Sequence, residues 1–281
     1  MNTAVHYQLD GELARITLNR PQRHNALVPE LLDGLRAALA RCREDRPAAL
    51  ILDAEGRSFS TGGDVGGFYD TPRAERHDYA SRVVGTLNAV ILDLLSLPLP
   101  TVAAVHGMVT GGSVGLVLAC DIVVAGPRAS FAPWYTRVGY SPDGGWTALL
   151  PDVIGRQQSL NWLCSNASVT AEECLDMGIA HELVSTDAFA AALAWAKQIA
   201  GMNKASIEST RSLLGRNTDD IRQGLQAERL LRVRHRPAPE GRETPHLHQG
   251  VQPAGAIRGR HTWPRHRRVG ERDADVGSVE H

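Results

Sequence analysis

Leu13, Arg15 and Thr17 alternate with Ala14, Ile16 and Leu18, which puts successive side chains on opposite faces and predicts a strand; the turn-forming run 19–25 closes it. The period then lengthens. Pro29 stands where a first helical turn tolerates proline, and Leu31, Leu32, Leu35 and Leu39 recur along one helical face. Unbroken apolar runs at 49–52, 102–105 and 122–125 read as strands covered on both sides, with helical spacing between them at 79–95. Strand and helix alternate, so the chain is of the α/β class. From Thr170 the pattern becomes helical, opening on a capping box of Thr170 and Glu173 and continuing over 187–200, 203–214 and 218–231. No repeat of fixed period is visible.

This divides the chain into a core over 1–169, a helical part over 170–231 and a segment of different character over 232–281. The last holds ten of the thirty Lys+Arg, all arginine, and six of the eleven histidines, with scattered Pro and Gly and no apolar face. Such a stretch cannot offset the entropy of ordering itself, and poor order is expected. Its bias is also what a shifted reading frame through GC-rich DNA yields. The functional alternative is a basic tail that meets phosphates or an acidic partner.

Composition narrows the classes. A chain of 281 residues that is 43% hydrophobic and 22% charged can bury one large core. A net charge of -1 supplies no field for nucleic acid or an anionic membrane, so any phosphate recognition must be local. Cys42, Cys120, Cys164 and Cys174 form no CxxC pair and no leader-like apolar run opens the chain, which points to reduced thiols in a cytoplasm. Neither a transmembrane helix nor a metal site is expected.

Three stretches carry candidate chemistry. Phe59-Ser60-Thr61-Gly62-Gly63-Asp64 follows a buried strand, and its paired glycines let backbone amides approach a ligand; a plain tight turn is the other reading. In 105–116 a strand gives way to Gly111-Gly112 and an apolar helix, whose first amides suit a developing oxyanion, or whose glycines merely permit close packing. His106 there reads as a strand-end residue. The third stretch, 131–146, contains Trp134, Tyr135 and Asp143, the last placed either as a base or as the N-cap of a short helix.

In order and spacing, Leu18-Asn19-Arg20-Pro21, Asn25-Ala26-Leu27, 59–64, 100–107, Gly111-Gly112, Ala119-Cys120-Asp121 and 139–145 resemble the crotonase (enoyl-CoA hydratase/isomerase) superfamily over about residues 5–231. The resemblance implies a spiral of ββα units with a C-terminal helical part used for trimerisation, a homotrimer or dimer of trimers, and an acyl-CoA thioester as substrate. No separate cofactor is implied, since coenzyme A belongs to the substrate. Carried onto this chain, the oxyanion hole falls on the amides of Gly63 and Gly112. Arg23, Asn25, Ala26, Phe59, Thr61 and Gly62 would line the coenzyme A, with Arg23 as a phosphate contact, and Asp64, Gly111, Trp134 and Tyr135 complete the substrate-binding set.

Hydratases of this family hold water between two glutamates, and the corresponding positions here are Gly115 and Tyr135. An acid stands instead at Asp143, within Pro142-Asp143-Gly144-Gly145, as in the isomerase branch that includes the epoxide isomerase of phenylacetyl-CoA breakdown. The resemblance therefore implies an enoyl-CoA isomerase with Asp143 as base. The alternatives are a dehalogenase or hydrolase with Asp143 as nucleophile, and a non-catalytic acyl-CoA binder.

Overall fold

A computed structural model describes residues 3–234; the remainder of the compositionally distinct tail, 235–281, lies outside the described residues. Strands β1 (Val5–Asp10) and β2 (Leu13–Leu18) pair antiparallel, and the chain then runs through a 3-10 turn (Pro21–Arg23) into helix α1 (Pro29–Asp45). Pro29 occupies the first turn of α1, and Leu31, Leu32, Leu35 and Leu39 form its buried face. Strand β3 (Ala49–Ala54) leads through a loop to the short α2 (Val65–Asp70) and the long α3 (Arg76–Leu95).

Next come β4 (Thr101–Val105), β5 (Met108–Thr110), a 3-10 turn (Gly111–Ser113) and α4 (Val114–Leu118); then β6 (Ile122–Ala125), β7 (Ser130–Ala132) and α5 (Tyr135–Val138). Helices α6 (Leu150–Ile154) and α7 (Arg156–Ser165) precede β8 (Val169–Thr170), α8 (Ala171–Asp176) and β9 (Glu182–Leu183). The described chain ends in α9 (Ala188–Ala200), α10 (Lys204–Leu213) and α11 (Thr218–Arg234).

Two sheets result, one of six strands in the order β1-β2-β3-β4-β6-β9 and one of three in the order β5-β7-β8. Isolated parallel bridges Ser60↔Val109 and Leu27↔Gly63 extend the smaller layer. Each turn of the chain therefore lays a strand in the large sheet, a short extended piece in the small layer and then a helix, which is the expected spiral of ββα units. The unequal pieces leave no fixed sequence period. Both faces of the large sheet are covered. Leu50, Leu52, Ala103 and Val105 face the main core, while the alternate residues Ala49, Ile51, Val102 and Ala104 pack on Ala188, Ala192 and Ala196 of α9. The capping box is present: Thr170 accepts from the Glu173 amide, and Glu173 accepts from the Thr170 amide at 2.8 Å.

Candidate active site

Beyond the ends of β3 and β4, two glycine stretches are stitched to each other and to the loop before α1. Asn25, fully buried with φ 52°, accepts from the Arg20 amide at 2.7 Å and donates to the carbonyls of Glu55 and Ser58 at 2.9 Å. Ser60 Oγ donates to the Asn25 carbonyl at 2.7 Å, and Ser113 Oγ donates to the carbonyls of Ser60 and Thr110 at 3.0 and 2.8 Å. Gly62 lies so close to the second stretch, at φ 75°, that a Cβ there would stand 2.5 Å from the Thr110 carbonyl oxygen and 3.3 Å from Gly111 Cα. Only glycine permits both the angle and the approach.

The amide directions follow from which carbonyls are occupied. The Gly62 carbonyl accepts from Leu27 N–H at 2.7 Å, so across the trans peptide the Gly63 N–H points away from Leu27. The Gly111 carbonyl accepts from the indole of buried Trp146 at 2.8 Å, so the Gly112 N–H points away from that core ring. Both scaffold bonds turn the carbonyl inward and the following amide outward. Around Gly63 itself the space is open: a Cβ there would meet no heavy atom within 4 Å.

The turn carrying Asp143 closes the same site. A Cβ built on Gly112 would stand 3.0 Å from Asp143 Oδ1 and 2.7 Å from Leu87 Cδ2 of α3, so the buried carboxylate abuts the second glycine stretch. Tyr135, buried at the start of α5, donates its hydroxyl to Asp143 Oδ1 at 2.6 Å and lies 2.9 Å from the Asp143 carbonyl. Gly144 packs with its carbonyl oxygen 1.8 Å from where a Gly115 Cβ would be. No short helix follows Asp143, contrary to its possible N-cap role. Gly144 and Gly145 adopt φ 67° and 90°, and a turn occupies the residues before α6.

Not every expected lining residue faces the site. Phe59 is fully buried in the core, Ala26 is buried, and Asn25 spends its side chain on backbone, so these three shape the loop rather than offer side chains to a ligand. Thr61 is partly exposed beside the His24 carbonyl. Half-buried Trp134 takes a left-handed φ of 62° with the Arg137 guanidinium 5.2 Å from its ring centre. His106 bonds the Gly56 carbonyl, as a strand-end residue should.

Arg23 sits at the rim, its side chain 48% exposed, with Nη2 3.2 Å from Asp64 Oδ1. Asp64 also caps α2 by accepting from the Gly67 amide at 3.0 Å. Burial raises its carboxyl, but the Gly67 amide and the Arg23 charge outweigh this and hold it below the ordinary value.

The sequence reading missed Glu228. This buried residue of α11 accepts from the amides of Gly145 and Thr147 at 2.8 and 2.7 Å and from the Thr147 hydroxyl at 2.6 Å. Burial raises its carboxyl above the ordinary value against those hydrogen bonds, and the charge of Asp143 adds to the rise. The signal was available: Glu228 continues the buried stripe of Ile221 and Leu225 at helical spacing, where an acid is out of place.

Among the described residues, no group of three His, Cys, Asp or Glu converges as a metal site, and no helix is long and apolar enough to cross a membrane. The thiols of Cys42, Cys120 and Cys174 are buried and raised by that burial, and none joins the site.

Comparison with known proteins places the chain in a family. The family model for enoyl-CoA hydratase/isomerase matches residues 9–236. A probable enoyl-CoA hydratase of Mycobacterium tuberculosis is 34% identical over 78% of this chain and 80% of its own length. The 1,2-epoxyphenylacetyl-CoA isomerase of Escherichia coli is 32% identical over 62% of this chain and 67% of its own. The 4-chlorobenzoyl coenzyme A dehalogenase-2 of an Arthrobacter species is 33% identical over 63% and 64%. Among solved structures, an enoyl-CoA hydratase/isomerase from Mycobacterium paratuberculosis superposes with a TM-score of 0.77 at 26% identity, covering 84% of this chain and 94% of that one.

Proposed function

This chain belongs to the enoyl-CoA hydratase/isomerase family, and we propose that within it the protein moves a proton on a coenzyme A thioester rather than adding water. The observation that carries this reading is the seating of the 143–145 turn on the second glycine stretch. It fills the position of one hydratase glutamate with the Gly144 carbonyl, 1.8 Å from the Gly115 Cβ direction, and brings Asp143 Oδ1 within 3.0 Å of the Gly112 Cβ direction. The other glutamate position holds Tyr135, whose hydroxyl donates to Asp143 Oδ1 at 2.6 Å.

In this mechanism the outward amides of Gly63 and Gly112 donate to the thioester oxygen. Each such donor is commonly worth about 2.7–4 kcal/mol once the oxygen carries the charge of an enolate. The Asp143 carboxylate takes a proton from the carbon next to the carbonyl, the electron pair delocalises into the thioester, and the Asp143 carboxyl, its proton exchanged with solvent, protonates the carbon two along, so no water is consumed. Tyr135 fixes the carboxylate through its 2.6 Å hydrogen bond. Arg23, at the rim, meets a phosphate of coenzyme A.

The C-terminal helical part serves assembly as a homotrimer or paired trimers. Leu213, Leu214 and Leu230, 87%, 80% and 60% exposed, support an apolar contact between copies, which light scattering tests.

The functional test incubates a panel of 2-enoyl, 3-enoyl and aryl coenzyme A esters with the protein in deuterated water and reads the products by mass. A proton shift adds deuterium without water. Asp143→Asn keeps the size and a hydrogen-bond acceptor for Tyr135, and conversion should fall by about 10²-fold or more while ester binding persists. Wild-type rates in that variant, or products heavier by water, refute the reading. The dehalogenase relative favours a second reading, with Asp143 as nucleophile, and a covalent acyl or aryl adduct on Asp143 in the same experiment would establish it.

A further inference from the structure

We propose that Glu228, reaching back from α11, is a positioning residue that sets the Asp143 carboxylate against Gly112 by pinning the turn that carries it. The inference rests on the reading of Asp143 as the acid/base group. Glu228 is only 3% exposed, and among the described residues it forms no ion pair. A buried carboxylate in that state is costly, and a leucine on the same stripe would pack without the penalty. What the carboxylate does is bind donors. Its three donors among the described residues, the Gly145 amide, the Thr147 amide and the Thr147 hydroxyl, lie within four residues of Asp143 on one turn.

The helix that supplies Glu228 is itself fixed to the wall of the site. Asn88 of α3 donates to the Leu225 carbonyl at 2.9 Å in a buried bond, and Arg229 donates to Ser81 Oγ at 2.7 Å. A Cβ on Gly224 would stand 2.9 Å from Ala148 Cβ, and one on Gly145 would stand 3.7 Å from Leu225 Cδ2, so helix and turn are in contact around the carboxylate. Leu87, next to Asn88, is the residue packed 2.7 Å from the Gly112 Cβ direction. The contacts form a closed ring: Gly112 to α3, α3 to α11, Glu228 to the 145–147 turn, and that turn back through Asp143 to Gly112. Breaking the ring at Glu228 loosens the turn on its α11 side, while Trp146, buried in the core, still ties it to the Gly111 carbonyl.

Glu228→Gln tests this with little change of volume. Its amide oxygen still serves Thr147, but its NH2 group then faces the Gly145 amide, donor against donor. With wild type and variant assayed for solvent deuterium incorporation into a reactive ester, kcat should fall by about 10²-fold, the loss expected for misplacing a catalytic group by about 1 Å. KM should stay within about threefold, because Gly63 and Arg23 lie outside the turn and buried Trp146 keeps its bond to the Gly111 carbonyl. Thr147→Val, at an exposed position of the turn, removes one donor and should lower kcat by about tenfold; the double variant should lose less than the product of the two effects.

A folded Glu228→Gln protein with wild-type kcat overturns the inference, and so does a loss in which KM rises in step with falling thermal stability. If Glu228→Gln does not fold, Thr147→Val decides alone: lowered kcat at unchanged KM supports the ring, and unchanged kcat refutes it. A wild-type protein that exchanges no deuterium with any ester overturns the acid/base reading and this inference with it. Exchange that Glu228→Gln leaves intact overturns this inference alone.

Discussion

Two glycines of the site make opposite demands on an added methyl group, and the pair Gly115→Ala and Gly63→Ala separates packing from ligand approach. At Gly115 the new Cβ would fall 1.8 Å from the Gly144 carbonyl oxygen and 2.8 Å from Ile91 Cδ1. Ile91 can rotate, but the carbonyl is backbone and must retreat by roughly 1.4 Å to reach normal contact, which puts the cost at the upper end of overpacking, about 3 kcal/mol. Alanine recovers about 1 kcal/mol in helix propensity within α4, leaving a net loss of about 2 kcal/mol. For a domain of this size that lowers the melting temperature by about 4–8 °C. The retreating carbonyl also carries Asp143 from Gly112, so turnover falls with stability. At Gly63, by contrast, nothing lies within 4 Å of the new Cβ. Stability should change by no more than about 0.5 kcal/mol, while the methyl projects where the thioester must sit and weakens ester binding. Thermal melts and ester titrations of both variants are the assays. If Gly115→Ala melts within about 1 °C of wild type, the close approach does not exist as described. If Gly63→Ala binds esters normally, the open space beside Gly63 is not the ligand's.

Tyr135→Phe removes the 2.6 Å hydrogen bond to Asp143 Oδ1, so kcat should fall by about tenfold or more, consistent with the ~1.5–3 kcal/mol of a bond to a charged group; an unchanged kcat refutes its orienting role. Thr170→Ala dissolves the α8 capping box, far from the glycine stretches in sequence, and should cost about 1 kcal/mol by thermal melt with turnover intact. Asp64 titrates below its ordinary value of 3.8, so its contribution to stability is complete above that pH and is lost as pH falls through the lower folded value. Arg23→Ala raises the folded value toward the ordinary one, so the acid-unfolding midpoint should move to higher pH and the KM for coenzyme A esters should rise; a midpoint unmoved or lowered contradicts the pairing.

How far the sequence could be read depended on how much of each element's stability is local. Leu31, Leu32, Leu35 and Leu39 mark α1 because one face of that helix is buried along its length, and the strands at 102–105 and 122–125 show as apolar runs because both faces of the large sheet are covered. The three-residue strands β5 and β7 carry no such period; pairing partners alone define them. Helix α2 begins Val-Gly-Gly, a poor helical sequence, and is held by the Asp64 cap. The amide directions at Gly63 and Gly112 depend on Leu27 and Trp146, which only the folded chain brings to the neighbouring carbonyls.

One packing event brings the turn, Asp143 and Tyr135 together. A side chain at position 115 would strike the Gly144 carbonyl, so the turn can sit against α4 only when that position is glycine. The same seating carries Asp143, one residue before Gly144, to the edge of Gly112, and brings Tyr135 within 2.6 Å of its carboxylate. Introducing a glutamate at 115 would therefore not add a second acid beside Asp143. It would lift the turn and remove the first one, because its Cβ already falls 1.8 Å from the Gly144 carbonyl oxygen. Gly115→Glu should accordingly lose stability and proton transfer together and gain no hydration of a 2-enoyl ester. Hydration in a stably folded Gly115→Glu protein would show that the two acids are independent and that the turn is not what chooses between them.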